Sequence, residues 1–189
     1  MSNILEGLGN LWTKNLRYKW SSIRHSNSPT GMTAEQFAKY KRYIPSSPTQ
    51  IKQIAELIYK NFEYTPDGLD KAYDALDTPV SCWLQAFEKT PLRGDCDKFH
   101  SALYWAVSFN FECRLLTIVT QDIKDSHTLL TFKTDEGYFY VDYMYLSKPF
   151  NNIDDLVMHV ENRLKTFMIC YELSKWDGGK WVGDRRYIT

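Results

Sequence analysis

Two β-rich runs, His127 to Lys133 and Tyr138 to Tyr145, are separated by Thr134-Asp135-Glu136-Gly137. β-Branched and aromatic residues favour a pleated surface, and a short polar link ending in glycine favours a tight reversal. An antiparallel hairpin is therefore expected here. With the turn centred between Asp135 and Glu136, Asp142 faces Leu129 and His127 faces Met144. His127 and Asp142 then share one face as diagonal neighbours, roughly 7–8 Å apart at the backbone and within reach of long side chains. A slip of one residue would send them to opposite faces.

Upstream, the pattern changes to helical spacing. Thr33 followed by Gln36 is a capping-box pattern, which starts a helix to about Tyr43. Ser47, Pro48 and Gln50 start a second, whose stripe is Ile51, Ile54, Ala55, Ile58 and Phe62. Thr65-Pro66-Asp67-Gly68 marks a turn, with a short helix expected after it through Leu76. Asp77-Thr78-Pro79 caps another helix, carrying Val80, Trp83, Leu84 and Phe87. Thr90 to Gly94 is expected to be a loop. Cys96 then opens a helix to about Ser108, with Phe99, Ala102, Leu103, Ala106 and Val107 on its apolar face. Arg114 to Thr120 is a further strand. Asn152 and Asp154 precede a helix to about Leu164. Thr166 to Leu173 and Lys180 to Tyr187 flank Asp177-Gly178-Gly179 as a second hairpin. Residues 1–32, with a polar break at Ser26 to Gly31, read as an N-terminal extension, and 33–189 as one domain.

Charge and cysteine usage narrow the function classes. The 189-residue chain has 23 Lys plus Arg against 23 Asp plus Glu, so net charge makes no case for nucleic-acid binding. Apolar residues at 43% and aromatics at 15% argue for a packed core rather than disorder. No apolar run is long enough for a membrane span. The N-terminus lacks the pattern of a secretory signal. Reduced thiols in a cytoplasmic setting are therefore expected. Cys82, Cys96, Cys113 and Cys170 are widely spaced and form no C-x-x-C pair.

A thiol at position 96, an imidazole at 127 and a carboxylate at 142 supply three roles in chain order. A thiol nucleophile needs a base to take its proton, and the base needs a group to hold its ring. At a helix start, unpaired amides and the helix dipole favour a thiolate, and a nearby imidazolium favours it further. Cysteine is often only a small buried hydrophobe, and a histidine at a strand start is often plain surface. Asp142 is less ordinary, because an aspartate among Phe139, Tyr140, Val141 and Tyr143 needs a partner. His100 lies on the same helix face as Cys96. Core packing explains it better than a metal pair, since only two ligands are local. Gln85 or the indole of Trp83 offers a second donor for an oxyanion; a surface glutamine and a core tryptophan are at least equal readings. No metal or other cofactor is expected.

Gly94-Asp95-Cys96-Asp97-x-Phe99, then Ser126-His127-Thr128, then Tyr140-Val141-Asp142, resembles the transglutaminase-like superfamily of papain-type thiol enzymes. The likeness is greatest to the bacterial transglutaminase-like cysteine proteinases and related phage and bacterial proteins. Asn61-Phe62-x-Tyr64 with Asp67, and Thr78-Pro79 with Trp83-Leu84, resemble the stretch preceding the cysteine there. About residues 48 to 145 are covered. The resemblance implies an α+β fold with a papain/transglutaminase-like core, the cysteine at the N-terminus of a central helix packed on an antiparallel β-sheet. It implies Cys96 as nucleophile, His127 as base and Asp142 as the group orienting the ring. The chain departs from the pattern at Lys98, where many relatives carry an acid, at His100, where a small residue is common, and at Asn110-Phe111-Glu112, where Gly and Pro often precede the next strand.

The expectation is a thiol hydrolase, a cysteine peptidase or amidase, acting on a peptide or amide-bearing protein through a Cys96 thioester. Acyl transfer to an amine is a variant. The alternative is a silent member of the fold serving as a binding or structural protein, as in a phage or cell-surface assembly. Location in a virion follows if the chain is phage-encoded.

Overall fold

A computed structural model describes residues 30–65, 76–88, 91–120 and 125–187. The expected turn and short helix after Thr65 fall outside the described residues, as do residues 1–29 of the extension. The chain is α+β: helices and an antiparallel sheet in separate layers.

Helix starts follow their capping chemistry. Helix α1 (Ala34–Tyr40) is opened by Thr33, whose hydroxyl accepts from Gln36 N–H while the Gln36 side chain accepts from Thr33 N–H. One 3₁₀ turn, Lys41–Tyr43, extends it. Helix α2 (Pro48–Lys60) has Ser47 as N-cap and buries Ile51, Ile54, Ala55 and Ile58. Phe62 does not continue this helix. It lies in strand β1 (Phe62–Tyr64), although its ring still packs on Phe99. In helix α3 (Pro79–Glu88) the Thr78 hydroxyl accepts from Ser81 N–H. Strand β2 (Leu92–Gly94) pairs in parallel with β1, so the expected loop before Cys96 is partly a strand. Helix α4 (Cys96–Val107) is the centre of the molecule: every side chain but Lys98 is buried.

The sheet comprises β3 (Glu112–Thr120), β4 (His127–Thr134), β5 (Gly137–Asp142), β6 (Tyr145–Leu146), β7 (Met168–Asp177) and β8 (Lys180–Tyr187). Its spatial order is β6-β5-β4-β3-β7-β8, with every neighbouring pair antiparallel. Helix α5 (Ile153–Leu164) starts at the N-cap Asn152. The period-two alternation of strands divides the core. Leu115, Leu130, Phe132, Phe139 and Val141 face α2, α3 and α4. Leu116, Ile118, Leu129 and Tyr140 face Leu156, Val157 and Val160 of α5. Each fully buried aliphatic or aromatic side chain contributes about 1.5–3 kcal/mol of transfer free energy, so the two clusters fix the sheet between its helices.

The expected strand Tyr138 to Tyr145 is broken. Strand β5 ends at Asp142, and a two-residue turn, Tyr143-Met144, leads into β6, with Asp142 paired to Tyr145. Tyr143 adopts a left-handed backbone at φ 51°. That region costs a bulky residue roughly 1–2 kcal/mol. Ring contacts with Phe99, Phe62 and His100 offset the cost. Among the described residues no helix is long and apolar enough to cross a membrane.

Candidate active site

The nucleophile candidate sits on a tightly built corner. Asp95 caps α4, its carboxylate accepting from Asp97 N–H at 3.2 Å. Gly94 precedes it because the Lys98 stem crosses directly over the backbone there. A Cβ at Gly94 would overlap that stem. The Lys98 ammonium runs on to Asp77 at 3.1 Å. Lys98 is thus an anchor for the corner. Cys96 is the first helical residue, and Thr128 N–H donates to its Sγ at 3.3 Å.

The hairpin sets the other two groups. Leu130 pairs with Val141, Thr131 with Tyr140 and Phe132 with Phe139, the register expected from the turn. His127 and Asp142 therefore share the expected face, and Nε2 of His127 lies 2.8 Å from Oδ1 of Asp142. The other ring nitrogen, Nδ1, is not engaged by Asp142, and Cys96 lies near enough to the ring to favour its charge. The three residues singled out in the sequence meet in one place.

A fourth member was not visible in the sequence reading. Arg163 Nη1 donates to Oδ2 of Asp142 at 2.7 Å, and its guanidinium lies over the Tyr145 ring at 4.3 Å. Each carboxylate oxygen of Asp142 thus has its own cationic partner. The signal was present: Leu156, Val160 and Arg163 fall at helical spacing, so the arginine continues the buried stripe of α5.

His100 is a bracket rather than a ligand. Its Nδ1–H donates to the Cys96 carbonyl at 2.6 Å, and Nε2 accepts from Tyr143 N–H at 3.1 Å. Both nitrogens are used, and the contacts tie the start of α4 to the turn after Asp142. Among the described residues no group of three or more His, Cys, Asp or Glu side chains is placed to hold a metal ion. The second-donor candidates lie elsewhere. Trp83 is fully buried, its ring 4.4 Å from those of Phe87 and Trp105 near the far end of α4. Gln85 donates to Ser81 within its own helix. Packing in the apolar helix layer takes the first, and a hydrogen bond along its own helix takes the second.

Electrostatics separates the two histidines. Burial pushes His100 down to about 4, so it is neutral. Burial also opposes charge on His127, but hydrogen bonds with Asp142 and Cys96 outweigh it and raise the ring to about 10. Burial alone would raise Asp142; the His127 hydrogen bond and charge, with Arg163, hold it at about 2.

These shifts set a stability profile. An unfolded histidine titrates near ~6.5. From there down to about 4, the unfolded chain takes up a proton that folded His100 refuses, so stability falls as pH falls. His127 acts in the opposite sense. Its contribution is complete below about 6.5 and is lost as pH rises to about 10. Asp142 contributes fully above the ordinary carboxylate range and loses its contribution as pH falls toward about 2. His100→Gln keeps a donor and an acceptor but removes the titration. Thermal melts across pH should show the acid-side slope above pH 4 reduced in the variant relative to wild type. An unchanged slope would mean His100 does not titrate as described.

No protein-family model matches the chain, and no curated protein matches its sequence.

Proposed function

We propose that this protein is a thiol hydrolase of the transglutaminase-like, papain-type kind, cleaving an amide bond of a peptide or protein through a thioester on Cys96. The observation that carries the reading is the 2.8 Å contact of His127 Nε2 with Asp142, with the Cys96 sulfur held 3.3 Å from the N–H of the next residue, Thr128. Fold resemblance alone would not suffice, since function resides in the site.

In this reading His127 takes the proton of the thiol, and Asp142 stabilises the imidazolium that results. The sulfur attacks the carbonyl carbon, forming the C–S bond. The carbonyl oxygen takes the negative charge and points at the first amides of α4, beginning with Cys96 N–H. As the C–N bond breaks, His127 gives its proton to the departing amine. Water then attacks the thioester, His127 takes a proton from it, and the acid leaves as the C–S bond breaks. An amine in place of water gives acyl transfer. Asp142 stabilises the imidazolium without taking its proton.

A silent binding protein is the second reading. The observation favouring it is the burial of Cys96, whose exposure is only 6%. Incubation with an activated peptide ester separates the two. The hydrolase should gain the acyl mass on Cys96, removable by hydroxylamine. A binding protein should gain none.

A further inference from the structure

Beside the site lies a cleft of about 680 Å³, lined by Tyr59, Phe62, Tyr64, Tyr143, Met144 and Tyr145, with Asp142 at its edge. We propose that this cleft binds a bulky apolar side chain of the peptide substrate, next to the bond that Cys96 attacks. The proposal rests on the hydrolase reading above.

Its walls come from two separate parts of the chain. Tyr59 is on α2, and Phe62 and Tyr64 are on β1; the β5–β6 turn brings the others. The cleft is continuous with the reacting groups. The Tyr143 ring lies 6.1 Å from His127 on one side, and 5.9 Å from Phe62 and 6.1 Å from Tyr59 on the other. The lining residues are unusually open for their type: Tyr59, Tyr64, Met144 and Tyr145 are 43%, 57%, 42% and 43% exposed. Large apolar surface gathered in one concave place is costly to leave wet and marks a binding site.

The chemistry of the lining selects the ligand. Among the described lining residues Asp142 is the only charge, and both of its oxygens are taken by His127 and Arg163. Among these residues a cationic side chain would find no open carboxylate, and an acidic one no cation. A sugar would find ring faces, but no amide or free carboxylate among these residues to order its hydroxyls. What remains is ring surface, a thioether and phenol rims, which suit an aromatic or large aliphatic side chain. The volume fits a short stretch of peptide.

The test uses the whole chain and dipeptidyl acyloxymethyl ketones carrying Phe, Leu, Asp or Lys at either residue. Labelling of Cys96 is followed by intact mass and peptide mapping. The Phe or Leu probes should label at least about tenfold faster than the Asp or Lys probes at one position. Tyr64→Ser and Met144→Ala, both at exposed sites, should erase much of that preference through weaker probe binding. Each variant's probe rates are divided by its own rate with iodoacetamide, so that only the side-chain preference is compared. Cys96 labelled by iodoacetamide, but by the probes without regard to side chain, would overturn the apolar site and leave the hydrolase reading standing. A preference that survives both substitutions would overturn it equally. If Cys96 reacts with neither reagent, the hydrolase reading fails and the subsite with it.

Discussion

Replacing His127 with alanine should lower amide hydrolysis by about a millionfold, the loss expected when a catalytic base acting as one unit with its nucleophile is removed. The fold should survive. His127 is the first residue of β4 and partly open to solvent, so truncation leaves no sealed cavity. Asp142 would not be stranded, because Arg163 still holds Oδ2 at 2.7 Å. The variant should stay folded, as circular dichroism can show, but melt below wild type at neutral pH because the contribution of the charged ring is gone, while hydrolysis of a peptide amide falls to background. A folded variant that keeps its activity would remove His127 from the chemistry.

Asp142→Asn should cost about ten-thousandfold, for a reason that Arg163 sharpens. The wild-type carboxylate accepts from two donors, His127 Nε2–H and Arg163 Nη1–H. An asparagine can accept at only one of those places. Turned toward Arg163, it presents its NH₂ to His127, which then must accept at Nε2 and carry its proton on Nδ1. That tautomer has no lone pair facing the thiol. Turned the other way, it sets NH₂ against the guanidinium. In both cases two cations lose the anion between them, so the imidazolium is disfavoured. Comparison of kcat with the affinity for a peptidyl inhibitor should place the loss in kcat. Full activity in a folded variant would contradict the role given to Asp142.

The hairpin and the central helix were more legible in the sequence than their surroundings. The Thr134–Gly137 turn and the alternation of β4 and β5 left one register that buries a face, and Leu130 does pair with Val141. The apolar spacing after Cys96 marked α4, which does start there. What escaped were contacts between elements distant in sequence. Strand β2 is three residues long and exists because β1 lies beside it in parallel; nothing local in Leu92-Arg93-Gly94 requires a strand. The break after Asp142 depends on a left-handed Tyr143, a conformation that aromatic residues seldom adopt and that the packing of Phe62, Phe99 and His100 holds here. Arg163 escaped as the partner of Asp142, because the crossing of α5 over β5 is a tertiary fact. Trp83, one candidate donor in the sequence, was taken by the aromatic core.

The central claim is that Cys96 is a nucleophile and not a fourth buried thiol. Exposure cannot decide it. Cys96 is 6% exposed and Cys113 is 7%, while Cys82 and Cys170 are at 0% and 3%. Burial raises the Cys82 and Cys113 thiols well above the ordinary range, leaving them inert at neutral pH. Cys96 instead faces a charged imidazole and a helix N-terminus. The most direct measurement is alkylation of the native protein with limiting iodoacetamide at pH 6.5, followed by peptide mapping. The account predicts that Cys96 carries nearly all of the label, and that the label is lost in His127→Ala. Label spread over the four thiols, or concentrated on Cys82, Cys113 or Cys170, would contradict it.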